Sequence, residues 1–486
     1  MSVLSERVLR QVLTLCLLVY IFSAKGYIEV SDTYSSLQTA QAIVTHGQLD
    51  IPYSEGATLR GSDGRSYSKY GIGLALYYVP WVAASDGLSK LTGLPGPELT
   101  GFLISFANIP FGLLALVMFS MLLRLFGVSG VSSWLLPLGL GLGTLAWRYA
   151  GYDFSEEMQM GLLMLAVYGV ARGTPKAIGG GGAGFAWLFL VKLLYAAFFP
   201  LFLVYLMTRP GSLRHRVRNA ALFTCPLVLA GCYVAWLNAA RFGNPLESGY
   251  GSEARMFFPA QLWHTVPQLL GSLDKGLLIF CPILILGVFG WKEFISRHRP
   301  EAILCAGLLV LNLILAGAWH SWGGGWSWGP RLLVPAIPLW LLPAAFWVAR
   351  RQSRAPIRIL ALLTLTSILT QIPGVLVKDQ EIHQIKENLL TAQEQRSAPS
   401  DYVMACMLLR HKLAARDEVY RVSEFGIPGD RELDLTGYRT EIGLNVWTEQ
   451  VARQMKKPAL RWLPLPALFL VGYLAIRVGA MLRTAV

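Results

Sequence analysis

The chain has 486 residues, of which 54% are hydrophobic and only 15% charged, and it carries 15 tryptophans. Apolar runs long enough to cross a bilayer recur from Val8 to Arg477, which excludes a soluble globular domain and indicates a polytopic membrane protein. The formal charge of +13 lies mostly in short loops between apolar runs, where basic residues set topology and meet anionic lipid, so it argues against nucleic acid as a partner.

The first apolar run, residues 8–24, follows Arg7 and Arg10 as a signal peptide would. Ser23-Ala24-Lys25-Gly26 is a poor cleavage site, so the run reads as a retained anchor with a cytoplasmic N-terminus. Residues 25–98 then form one outer loop. An amphipathic segment opens at Val30-Ser31-Asp32-Thr33-Tyr34 and reaches His46. A polar hairpin follows, then the return Ser66-Tyr67-Ser68-Lys69-Tyr70-Gly71. The apolar stretch 72–91 carries Pro80, Ser85 and Asp86. It is expected to lie along the membrane or partly in it, because a full span there would invert every later loop.

Four basic clusters hold this topology on the cytoplasmic side: Arg172 with Lys176; Arg209, Arg214, Arg216 and Arg218; Lys292, Arg297 and Arg299; and Arg350, Arg351, Arg354 and Arg358. Spans are expected near 99–124, 132–147, 156–171, 220–240, 276–291, 302–319, 332–349 and 357–377. The stretch 183–207 has basic clusters at both ends, so it predicts a hairpin of short helices turning at 192–195. Glycines 179–182 read as a flexible entry to it. Residues 378–458 form a polar extracytoplasmic segment with helices expected at 380–395 and 401–416. Trp447, Val451 and Met455 recur at helical spacing, as in an interfacial helix ahead of a last span at 459–478. Five of the six cysteines fall in apolar spans, and none has zinc or disulfide spacing.

The chemistry-bearing residues gather in outer loops. Asp32 follows the first span closely; its bland role is to cap a helix starting at Thr33. Asp153, Glu156 and Glu157 stand at the outer start of a span, and Asp153 with Glu156 has capping-box spacing. The same acids would approach Asp32 if their spans are neighbours, and grouped carboxylates supply a base or recruit a cation. Lys69 and Tyr70 lie where the chain returns to the membrane. The loop from His320 to Arg331 holds three glycines with Trp322, Trp326 and Trp328, rings able to stack on a sugar or to form an interfacial belt. It ends on Arg331, well placed to grip a phosphate with paired donors. Glu247, Tyr250 and Arg255 are further substrate contacts. His264 and His320 lack metal-site spacing; Asp32, Asp153 and His320 are the metal candidates. Lys192, inside the apolar hairpin, reads as a snorkelling or lipid-facing cation.

In this order the set resembles the GT-C membrane glycosyltransferases, including their protein-mannosyltransferase-like and aminoarabinose-transferase-like branches. The carriers are Asp32, the 66–71 return, the acids from Asp153 to Glu157, and Trp326 through Arg331. Thr33 and Ser68 stand where relatives often carry acids, so a metal site of their kind lacks those ligands here. The resemblance implies a GT-C-like bundle of about 11–13 transmembrane helices with juxtamembrane helices in the first outer loop. It also implies a catalytic module at 1–377, a soluble segment at 378–458 and a terminal helix at 459–486. The implied activity is hexosyl or pentosyl transfer from a polyprenyl-phosphate sugar to a glycan, lipid or protein acceptor, at the outer face of a bacterial inner membrane. Asp32 is expected to act as base, with Asp153, Glu156 and Glu157 assisting; Lys69, Tyr70 and Arg331 hold the donor phosphate. No cofactor is required, and a divalent cation is compatible. A transporter or flippase of lipid-linked saccharides is the competing reading. It would put its ionisable residues on broken helices near mid-membrane, where this chain has chiefly Lys192.

Overall fold

The computed structural model describes residues 3–349, 354–414, 419–434, 444–454, 456–457 and 465–485. Arg350, Arg351, Met455 and the boundary expected at 458/459 lie outside them. Among the described residues, five helical stretches are long and apolar enough to span a bilayer: Gly96–Leu125, Leu213–Phe242, Arg299–Ala318, Arg331–Ala349 and Ala355–Leu376. The other helices are shorter or more polar, and several are broken.

Helix α1 (Val3–Ser23) runs from Arg7 and Arg10 to the buried Lys25. Helix α2 (Ser31–His46) buries Thr33, Ser35, Ser36, Leu37 and Thr39 on one face and stops at Gly47, whose φ of 65° supplies the left-handed turn that ends a helix. Strands β1 (Thr58–Arg60) and β2 (Ser66–Ser68) pair antiparallel with Leu59 opposite Tyr67. Helix α3 (Ile72–Thr92) packs on α2. Its first turn lies against the backbone of Leu190 and Val191, and any side chain at Gly71 or Gly73 would strike it.

Helices α4 (Gly96–Ile104), α5 (Ile109–Leu125), α6 (Ser132–Leu142) and α7 (Leu145–Ala150) lead to α8 (Glu156–Arg172), which is buried over nearly its whole length against α5 and α9 (Pro175–Val191). Glycines 179–182 are not a linker: they lie inside α9. Gly181 meets Ala166 and Gly169, and Gly182 meets the backbone of Phe223, so small residues let the helices approach closely. Helix α9 breaks at Lys192, which is extended (φ −148°, ψ 106°). A 3-10 turn over Leu193–Phe198 then leads into α10 (Phe199–Thr208).

Helix α11 (Leu213–Phe242) packs on α9, and α12 (Leu262–Gly271) lies in the stretch that follows it. Helix α13 (Leu277–Phe280) gives way at Cys281-Pro282 before α14 (Ile285–Arg297) and α15 (Arg299–Ala318). The next apolar stretch opens as a 3-10 turn at Arg331–Ala336 and continues as α16 (Ile337–Leu341) and α17 (Ala344–Ala349). Pro335, Pro338 and Pro343 keep it in pieces by removing helical N–H donors. Helix α18 (Ala355–Leu376) closes the bundle.

Beyond it come α19 (Asp379–Gln384), α20 (Ala392–Ser397), α21 (Asp401–Leu413), an antiparallel pair β3 (Val419–Arg421) and β4 (Glu432–Asp434), α22 (Trp447–Gln454) and α23 (Leu465–Ala485). Trp447 packs against other parts of the protein. It covers Gly26, contacts the rings of Phe102 and Phe106, and donates its backbone N–H to Ala24 O at 2.7 Å. The end of the segment after α18 is thereby folded back onto the stretch that follows α1.

Candidate active site

Two capping expectations fail, and both failures free an acid. Helix α2 starts at Ser31 with Val30 as its N-cap and no side-chain cap, so Asp32 sits in the first turn with its carboxylate uncommitted to the backbone. At α8 the N-cap is Ser155, and no capping box forms there.

Asp32 instead reaches across the fold. Its Oδ1 accepts a hydrogen bond from Tyr70 Oη at 2.7 Å, and its Oδ2 lies 3.6 Å from Arg331 Nη1. The same Nη1 is 3.8 Å from Glu156 Oε1, and the guanidinium lies over the Phe154 ring at 4.1 Å. One guanidinium is therefore shared by two carboxylates that are over a hundred residues apart in sequence. Glu156 is buried, whereas the Asp32 side chain is 33% exposed and accessible to a ligand. Gly324, with φ of 77°, lies against the Arg331 side chain where a Cβ would collide with it, so the glycine-rich loop folds directly over this arginine.

The return strand fixes the other wall. Ser68 Oγ bonds Ser35 Oγ at 3.1 Å and accepts the Tyr70 N–H at 3.3 Å. Tyr70 meets Tyr250 edge to face at 6.2 Å. Burial pushes the Tyr70 phenol well above its usual pKa, and the adjacent Asp32 charge adds to that, so Tyr70 remains a hydrogen-bond donor. Burial, Asp32 and Glu253 push Tyr250 the same way.

Lys69 is beside these rings but is held by Glu253, with Nζ at 2.8 and 3.0 Å from the two carboxylate oxygens. Glu253 was missed in the sequence, where the run 251–255 offered no chemical spacing. Lys192 is more exposed to the site's field than its apolar setting suggested. It stands at the α9 break, within electrostatic reach of Glu156, Arg331 and Asp32, and is half-buried. Among the described residues its ammonium makes no hydrogen bond or ion pair.

The remaining candidates are placed elsewhere. Asp153 forms a buried ion pair with Lys25 and accepts the N–H groups of Glu29 (3.1 Å) and Val30 (3.0 Å), so it shapes the lead-in to α2. Glu157 points away from Arg331, buried beside Gly112. Glu247 accepts the N–H groups of Gly249 and Gly251 in its own turn. Trp328 is buried against Gly374, Phe280 and Tyr402. Trp326 stacks on His383 and donates to Glu387, and Trp322 lies near the exposed His264. His320 is exposed beside Trp319. The three metal candidates thus form no common site, and among the described residues no group of three His, Cys, Asp or Glu gathers to hold a metal ion.

No protein-family model and no curated protein matches the sequence. Solved structures do. ArnT from Cupriavidus metallidurans bound to undecaprenyl phosphate aligns with TM-score 0.53 at 15% identity, over 98% of this chain and 76% of that one. Its apo state gives TM-score 0.52 at 14% identity with the same coverage. The archaeal oligosaccharyltransferase AglB from Archaeoglobus fulgidus, in complex with an inhibitory peptide and a dolichol-phosphate, gives 0.50 at 9% identity over 79% of this chain and 58% of that one. At such identities the likeness is one of fold, and the chain has the GT-C-like polytopic membrane fold that these structures share.

Proposed function

We propose that the protein is a membrane glycosyltransferase that moves a hexosyl or pentosyl group from a polyprenyl-phosphate donor to an acceptor hydroxyl, at the outer face of a bacterial plasma membrane. The observation that carries this reading is the meeting of Asp32, Tyr70, Glu156 and Arg331 from four separate segments, with Asp32 open to a ligand. The lipid phosphates bound to ArnT and AglB support the choice of donor.

In the proposed reaction the acceptor oxygen attacks the anomeric carbon. The bond from that carbon to the phosphate oxygen breaks, and its electron pair leaves with polyprenyl phosphate. The acceptor's proton passes to Asp32, and attack opposite the leaving group inverts the centre. The leaving phosphate is already a weakly basic anion, so positive charge matters more than a general acid. Arg331 supplies it, flanked by Lys192; Lys69 reaches the phosphate only by leaving Glu253. Tyr70 orients the Asp32 carboxylate through its hydrogen bond.

The test is to incubate purified protein with a panel of polyprenyl-phosphate sugars and acceptors and to measure released polyprenyl phosphate. Release should depend on acceptor, and folded Asp32→Asn should lose turnover by at least about 10²-fold. Near-normal turnover in that variant removes Asp32 as base. Acceptor-independent movement of intact lipid-linked sugar across vesicles would instead establish the flippase.

A further inference from the structure

Asp32 and Arg331 belong to separate outer segments, and residues of a third segment hold both. Asp379, at the start of α19, is buried, and its Oδ2 accepts from Trp328 N at 3.1 Å and from Arg148 Nη2 at 3.1 Å. Trp328 is three residues before Arg331. Its carbonyl accepts from Tyr149 Oη at 2.9 Å, and its ring fills the slot left by Gly374. The next residue, Gln380, donates from Nε2 to Glu29 O at 3.1 Å, three residues before Asp32. Asp153 holds the N–H groups of Glu29 and Val30 from the other side.

Resting on the proposed function, we infer that Asp379 and Gln380 form a staple that sets the separation of Asp32 from Arg331, making the outer C-terminal segment part of the machinery that binds the lipid phosphate. Neither residue touches the reacting atoms; both are positioning residues. The segment's attachment is chemically specific. Asp379 is the acceptor for a backbone N–H that would otherwise be buried and unpaired, and it neutralises an Arg148 charge that lies over the Tyr152 ring at 4.0 Å. Elsewhere the same segment is held by contacts that reach neither arm, such as the buried pair Lys412–Glu381 at 2.8 Å.

This difference gives the experiment. Hydrogen exchange is measured on the lipid-free full chain, together with melting temperature and affinity for undecaprenyl phosphate, for the wild type, Asp379→Leu, Asp379→Asn, Arg148→Leu/Asp379→Leu and Lys412→Gln. Asp379→Leu should speed exchange at residues 326–331 and weaken the lipid by about ten-fold, since small displacements of binding groups are costly. Asp379→Asn, which keeps one oxygen able to accept both hydrogen bonds, should stay within about three-fold of wild type in affinity. The double variant removes the stranded Arg148 charge, so it should regain melting temperature without regaining affinity. Lys412→Gln should lose stability and keep affinity. Unchanged exchange at 326–331 in Asp379→Leu overturns the staple, as does a double variant in which affinity returns with stability. A wild type that does not bind undecaprenyl phosphate overturns the functional reading instead, and the exchange data still decide the staple.

Discussion

Replacing Arg331 by Gln removes one charge from between two carboxylates. Its Nη1 is 3.6 Å from Asp32 and 3.8 Å from Glu156. At an effective dielectric near 20 each contact has a Coulomb energy of about 4–5 kcal/mol before desolvation. The Asp32 contribution shrinks through solvent screening, because that side chain is a third exposed. The Glu156 contribution does not: its side chain is 4% exposed and its Oε2 has no hydrogen-bond partner among the described residues. Arg331→Gln should therefore cost about 3–5 kcal/mol of stability, mainly by stranding Glu156. Turnover should fall by about 10²–10³-fold through loss of the donor facing the leaving phosphate. Adding Glu156→Gln removes the stranded charge and should recover most of the stability but none of the turnover. Melting curves and the release of polyprenyl phosphate measure the two effects separately. Arg331→Gln with wild-type turnover, or a double variant that regains activity along with stability, refutes the assignment of Arg331 to the phosphate.

Lys192→Met should weaken undecaprenyl phosphate by at least about ten-fold and Lys69→Met by no more than about three-fold, because Glu253 already holds Lys69; the reverse order in a binding titration returns the phosphate to Lys69. Gly374→Ala sets a methyl 2.1 Å from the Trp328 ring, which cannot bend aside, so it should cost at least about 1–3 kcal/mol in a denaturation experiment. A change under about 0.5 kcal/mol would mean that Trp328 is not seated in that slot. His383 gives a pH dependence. Burial and then Lys275 lower its pKa from 6.5, outweighing the opposing pull of Asp401, Asp379 and Glu387. Its folded pKa is thus below its unfolded one, so its contribution to stability is complete above pH 6.5 and is lost as pH falls through the window beneath it. Exchange at residues 380–390 should rise on acidification from pH 7.5 to about 5.5, and His383→Phe, which keeps a ring to stack on Trp326, should flatten that rise.

What the sequence disclosed followed from local chemistry, and what it concealed depended on distant partners. The apolar runs and the break at Lys192 were legible, because charge at both ends of a short apolar stretch admits few topologies. Asp32 and Arg331 were legible as candidates, because an acid just outside a span and an arginine closing a glycine-rich loop are placed to meet a charged ligand, although helix capping was the bland alternative for Asp32. Their meeting was not, since nothing local to either residue encodes a 3.6 Å contact across about three hundred positions. Glycines 179–182 show the limit most clearly. A run of four glycines reads as a flexible joint when its neighbours are unknown, yet here all four are helical, and the missing side chains of Gly181 and Gly182 let α8 and α11 approach α9 closely. The three tryptophans of the Arg331 loop show the same ambiguity. One faces the core, one stacks on His383 and one lies by His264, so a cluster of rings in sequence need not be one in space. Asp153 went further astray: its capping spacing and its proximity to Asp32 were both readable, but the buried Lys25 that claims it stood unremarked in a rejected cleavage site. In a membrane protein with so few charges, a buried ion pair is a strong constraint, and the partners of Lys25, Arg148 and Arg331 together define the lead-in to α2, the staple and the centre of the site.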